Sequence, residues 1–122
     1  MRILAMIAAL IVAAEHVGFL VLEMFLWQSE AGMQVFGLTA EEAAQTATLA
    51  ANQGLYNGFL AAGLAWAVLR GNREFTRVFL LCAIAAGVFG AMTASPTILY
   101  VQAAPAAVAL VLSFTQKGDR YN

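Results

Sequence analysis

The sequence predicts an all-α protein, a four-transmembrane-helix bundle with both termini on the cytoplasmic side (N-in/C-in). Three observations carry that expectation. Hydrophobic residues make up 62% of the 122-residue chain and charged residues 11%, against about 45–50% and 25% in soluble domains. A chain this short buries too small a fraction of its surface to keep so much apolar area from water. The apolar residues fall into four runs divided by polar breaks, and all six Lys and Arg residues fall at one end of the resulting four-span arrangement.

The first run covers residues 3–27. About 20 residues at 1.5 Å rise cross the hydrocarbon core, so this run is long enough to span with some tilt. Its start, Arg2 and then an apolar stretch ending at Val12-Ala13-Ala14, resembles a secretory leader. The apolar pattern continues over residues 17–27, so a retained span is expected. A polar loop follows over residues 28–39. Thr39 precedes Glu41 and Glu42, the pattern of an N-cap with acids in the first turn, and predicts a helix over 40–69. That helix is longer than a bilayer needs, so its first turns are expected to project outside. Arg70-Gly71-Asn72-Arg73 reads as a tight turn, followed by a third helix over 74–92. Ala94-Ser95-Pro96-Thr97 breaks the chain again. A fourth helix is expected over 97–115, kinked by Pro105, which has no N–H to give the preceding turn. The polar tail 116–122 completes a single membrane domain, 1–122, with no linker and no second domain.

Orientation follows from the cations. Arg2 precedes the first helix, Arg70, Arg73 and Arg77 surround the second break, and Lys117 and Arg120 follow the fourth helix. The first and third breaks contain no Lys or Arg. An odd number of spans would divide these residues between the two sides. The expected location is therefore a bacterial inner (plasma) membrane, multi-pass, with the lipid bilayer as the main partner.

Composition also excludes function classes. One cysteine, Cys82, allows no intramolecular disulfide and reads as a small core residue. No zinc-type cluster and no Gly-rich phosphate loop occurs, and no cofactor motif is recognisable. The few basic residues do not interleave with aromatics, so no nucleic-acid partner is expected.

The informative residues are polar groups within the apolar runs. Ionisable side chains in a span cost about 2.5–3.5 kcal/mol on insertion scales and usually mark a function. The first helix holds Glu15, His16 and Glu23. At about 100° per residue they share, with Phe19, one sector about 100° wide, with His16 and Glu23 nearly superposed two turns apart. The second helix holds Gln53 and Asn57 on one strip and Asn52 and Tyr56 on the next. The fourth contributes Tyr100 and Gln102. In an N-in bundle all of these converge on the outer half, while the inner half is almost purely apolar. That asymmetry points to a polar site opening outward or laterally rather than to a continuous pore. The plainer alternative is that these groups bond one another and fix helix register. Interhelical polar contacts average only about 0.6 kcal/mol, a poor return for burying two carboxylates. Glu15, His16 and Glu23 would offer one imidazole and two carboxylates to a metal, a weak donor set. Ala50, Gly54, Gly58 and Ala62 recur every four residues, suited to close packing in lipid. Ordinary bundle packing is the first expectation for this face and a homo-oligomer through Gly54/Gly58 the second.

The runs Glu15-His16-Val17-Gly18-Phe19, Glu23-Met24-Phe25 and Phe36-Gly37-Leu38, together with the segment from Ala50 through Asn52-Gln53-Gly54-Leu55-Tyr56-Asn57-Gly58 to Leu64, resemble a bacterial membrane-protein family catalogued as domain of unknown function 1304. The resemblance covers most of the chain and is most specific in the first two helices. It implies a fold and carries no activity. The architecture is also similar to the broader DoxX-like group of four-helix membrane proteins, some of whose wider relatives bind lipophilic molecules among intramembrane acids. That analogy transfers no individual residue.

Three functions compete on the sequence alone. The first is a site for a small lipophilic or cationic molecule, with Glu15 and Glu23 binding charge or moving protons, His16 sharing the proton, and the amides of the second helix supplying neutral hydrogen bonds. The second is a subunit of an oligomeric proton-coupled transporter or channel, against which the lack of an internal inverted repeat counts. The third is an accessory subunit of a larger membrane complex. No enzymatic reaction is specified.

Overall fold

The computed structural model describes residues 3–115; Arg2, Lys117, Arg120 and the tail from Gln116 onward lie outside the described residues. The described chain is all helical, with five α-helices and a π-helical turn and no strand among those residues. In order these are α1 (Ile3–Met24), α2 (Glu30–Phe36), α3 (Ala40–Leu69) and α4 (Arg73–Thr93), then the π-turn Leu99–Ala103, which runs into α5 (Ala104–Phe114). Two of them, α1 and α4, are long and apolar enough to cross a membrane; Leu99–Phe114 is apolar but shorter.

The helix ends explain where the sequence reading needs correction. The first helix stops at Met24 rather than at residue 27. Phe25 and Leu26 both donate their N–H to the Val21 carbonyl, and the Ser29 hydroxyl donates to the Leu26 carbonyl at 2.6 Å. The segment expected to be a loop contains α2. Its punctuation is local: Ser29 Oγ accepts the Gly32 N–H at 3.1 Å as N-cap, and Gly37 takes the left-handed conformation at φ 65° as C-cap, the two positions where those residue types relieve unpaired helix-end groups. Gly32 is buried against the Leu26 and Trp27 carbonyls, where a side chain has no room. At the start of α3, Glu42 N–H donates to Thr39 Oγ1 (3.2 Å) and Thr39 N–H donates to Glu42 Oε2 (2.8 Å), a reciprocal capping box. Asn72 caps α4, its Oδ1 accepting from Phe75 N–H at 3.0 Å, and Gly71 at φ 65° turns the chain.

The expected proline kink takes a specific form. Pro105 can give no hydrogen bond to the carbonyl four residues back. The chain answers with the π-turn just before it, in which the Ala104 N–H reaches five residues back to the Leu99 carbonyl.

The chain divides into two compact units. One is Ala14–Ala61; the other joins the N-terminal residues through Ala13 with everything from Ala62. In the second of these, α4 packs on the π-turn and α5. Small residues make the approach close: a Cβ on Gly87 would lie 2.8 Å from the Ala103 nitrogen. Leu64, Val68, Leu80, Ala83, Ala106 and Ala109 are buried there. Arg77 binds the end of α5, with Nε donating to Ser113 Oγ (3.2 Å), an Nη donating to the Ser113 carbonyl (2.8 Å) and the guanidinium 4.0 Å from the Phe114 ring centre. A cation suits the carbonyl-rich end of a helix.

In the unit Ala14–Ala61, α1 and α3 meet where α3 has no side chains. A Cβ on Gly54 would lie 2.6 Å from Met24 Cγ, 3.1 Å from Glu23 Cβ and 3.2 Å from the Leu20 carbonyl; one on Gly58 would meet Leu20 Cδ1. The Gly54/Gly58 face, a candidate oligomer surface in the sequence, is thus occupied by α1 of the same chain. Trp27 ties the α1–α2 connection to α3 by donating Nε1–H to Thr46 Oγ1 at 3.0 Å, and its ring rests 4.6 Å from that of Phe36.

Candidate functional site

The close passage at Gly54 brings one carboxylate to one amide. Asn57 Nδ2 donates to Glu23 Oε1 at 2.8 Å, between α1 and α3. Asn57 lies three residues after Gly54 and adjoins Gly58, so the short asparagine side chain spans the gap. A glutamate anchored by an amide N–H keeps its second oxygen for a proton, a cation or a ligand donor.

His16, two turns before Glu23 on the same side of α1, is fully buried, and its ring meets that of Phe19 edge-on at 5.3 Å between centroids. Glu15 is half-buried; its Oε2 is enclosed and has no hydrogen-bond partner among the described residues. Among those residues no three His, Cys, Asp or Glu side chains come together as a metal-binding group, so the donor set Glu15, His16 and Glu23 is not assembled around one point.

The amides of α3 separate. Asn57 turns to Glu23, whereas Asn52, about 140° away around an ideal helix, is exposed and donates back to the Thr48 carbonyl at 3.0 Å. Gln53 is exposed, and Tyr56 is 64% exposed with its ring edge-on to Phe59. Asn52 instead edges an open, shallow and mostly apolar groove with Met24, Ala47, Thr48, Ala51 and Leu55. Glu23 and Met24 are neighbours about 100° apart on α1, and a Cβ on Gly54 would meet both, so the Glu23–Asn57 pair and the groove lie beside the same helix seam. No polar signal in the sequence marks the groove; Met24, Ala47, Ala51 and Leu55 read as ordinary packing residues. Tyr100 and Gln102 belong to the other unit. Both lie on the π-turn; Tyr100 is 71% exposed, and Gln102 Nε2 donates to the Ala83 carbonyl of α4 at 3.4 Å.

With this geometry in place, comparison with known proteins decides the kinship. A family profile described as "Protein of unknown function (DUF1304)" matches residues 10–114. The chain belongs to this family. The DUF1304 match takes in Glu15, His16, Glu23 and all of α3, so every candidate residue lies inside the matched region. A protein named "Uncharacterized protein YpaA" from Lactococcus lactis subsp. lactis (strain IL1403) is 34% identical over 118 residues, which cover 93% of this chain and 99% of YpaA. The DUF1304 chain and YpaA therefore correspond almost end to end. No solved structure matches.

Proposed function

We propose that this DUF1304 protein is a multi-pass protein of the bacterial inner membrane, a four-helix bundle with cytoplasmic termini, that binds a small lipophilic or cationic molecule at Glu23 and Asn57. The Glu23–Asn57 hydrogen bond carries the reading. A carboxylate in an apolar helix is expensive to insert, and here a glycine-lined approach of α3 is spent on delivering a single amide to it, leaving half of the carboxylate's bonding capacity open.

Two further features support the membrane part. Large apolar side chains lie exposed along the helices, among them Ile3, Leu49, Phe59, Phe89, Met92 and Val111, a surface that water-soluble monomers do not tolerate over such lengths. Helix α3, 30 residues long and so about 45 Å, outreaches the hydrocarbon core of about 30 Å; Asn52, Gln53 and Asn57 lower its apolarity. The segment Leu99–Phe114 is shorter than a standard span, a mismatch that local thinning of the bilayer accommodates.

The test is retention. Protein purified in mild detergent from bacterial membranes is extracted with organic solvent, and the extract is compared by mass spectrometry between wild type and Glu23→Gln. A molecule retained at near-stoichiometric level by wild type and lost from an equally helical Glu23→Gln protein is the expected result. Extracts that match in every component contradict a ligand site and leave the pair as helix glue.

A further inference from the structure

The turn between α3 and α4 has a composition found nowhere else in the described chain. Residues 14–61 contain five glutamates and no Lys or Arg. Arg70, Arg73 and Arg77, by contrast, fall within eight residues, with Glu74 as the one acid among them. Arg77 is committed to Ser113 and Phe114, which holds the end of α5 beside α4. Arg70 is exposed and Arg73 half-buried. Next to them Trp66 and Phe75, each about half exposed, face one another edge-on at 6.1 Å between ring centres, and Leu69 projects 73% exposed.

We propose that this turn is a binding surface for the headgroup of an anionic phospholipid. Arg70 supplies forked donors that match phosphate oxygens, and Arg73 adds positive charge three residues away. The Trp66–Phe75 pair is of the kind that settles at the headgroup level, where a ring is apolar on its face and an indole N–H remains in reach of water. Leu69 then lies against the upper acyl chains. Charge complementarity selects the occupant: the patch has a net positive charge, lies where two predicted spans end, and adjoins apolar side chains that an acidic protein or a free anion would leave in water. The inference rests on the membrane reading above and is independent of the Glu23 site.

The test is native mass spectrometry of the detergent-solubilised protein titrated with phosphatidylglycerol and, separately, with phosphatidylcholine of the same acyl chains. Wild type is expected to hold phosphatidylglycerol at least tenfold more tightly. Each juxtamembrane cation is worth about fivefold in anionic-lipid affinity, so Arg70→Gln/Arg73→Gln is expected to weaken phosphatidylglycerol about 25-fold and to leave phosphatidylcholine unchanged. Arg70→Lys/Arg73→Lys, which keeps the charge and controls for folding, is expected to recover most of that loss. Equal binding of the two lipids by wild type, or phosphatidylglycerol binding indifferent to the Gln pair, overturns the proposal. So does displacement of the lipid by millimolar inorganic phosphate, which would assign the arginines to a free anion. A protein extracted from membranes by alkaline carbonate overturns the membrane reading as well, whereas an integral protein with no lipid preference overturns this inference alone.

Discussion

Replacing Gly54 by alanine tests the α1–α3 seam that positions Glu23. The added Cβ would lie 2.6 Å from Met24 Cγ, 3.1 Å from Glu23 Cβ and 3.2 Å from the Leu20 carbonyl. The Met24 side chain can swing aside. Glu23 Cβ and the Leu20 carbonyl are fixed to the α1 backbone, so α1 and α3 must part by a few tenths of an ångström. Because these atoms cannot rotate away, the overpacking falls in the upper part of the usual range, about 2–3 kcal/mol, offset by about 0.8–1.0 kcal/mol of helix propensity on leaving glycine. The net expectation is a loss of about 1–2 kcal/mol, or roughly 4–8 °C in midpoint at about 4 °C per kcal/mol. Two controls share the chemistry and lack the clash. At Gly58 the near atom is Leu20 Cδ1, a terminal methyl that can rotate, and at Gly18 nothing lies within 4 Å; both alanine variants should melt within about 2 °C of wild type or above it. Thermal unfolding in one detergent, followed by tryptophan fluorescence, makes the comparison. A Gly54→Ala protein as stable as wild type, or one that falls no further than Gly58→Ala, refutes the close approach and with it the reason that Asn57 reaches Glu23.

Other substitutions probe the second unit and the connection. Gly87→Ala places a Cβ against Ala103 backbone atoms, which no rotamer relieves, so a loss of about 2–3 kcal/mol and lower detergent-solubilised yield are expected. Arg77→Ala removes two charge-assisted hydrogen bonds to Ser113 and the contact with Phe114; about 2–3 kcal/mol should be lost, with proteolysis beginning at the α5 end, and Arg77→Lys should restore only part because it lacks the fork. Trp27→Phe keeps the ring against Phe36 and deletes the bond to Thr46, an effect of about 1 kcal/mol to be read as faster hydrogen exchange in α2.

The long features were legible in the sequence because they are set by local rules. The bounds of α3 follow from the Thr39–Glu42 capping box at one end and the Arg70-Gly71-Asn72 turn at the other. Helix α2 was not, since seven residues give too few turns for an apolar period to emerge, although Ser29 and Gly37 mark its ends. The π-turn was foreshadowed only by Pro105; a missing N–H tells that the helix must adjust and not which way. The site was legible as residue types and not as pairings. His16 and Glu23 share a sector of α1 by simple geometry, but which α3 amide meets Glu23 depends on the side of Gly54 to which each strip falls. Asn57 lies on the Glu23 side and Asn52 on the Met24 side, a matter of helix rotation that no single-helix pattern contains.

That rotation is open to direct measurement in the native membrane. In a Cys82→Ser background, which removes the exposed native thiol, Glu23→Cys/Asn57→Cys and Glu23→Cys/Asn52→Cys are compared after mild oxidation by the gel shift of a polyethylene-glycol maleimide. The account predicts that the 23/57 pair closes a disulfide, loses both maleimide shifts and regains them on reduction, while the 23/52 pair stays open. Closure of the 23/52 pair that equals or exceeds that of 23/57 would contradict a Glu23–Asn57 site between α1 and α3.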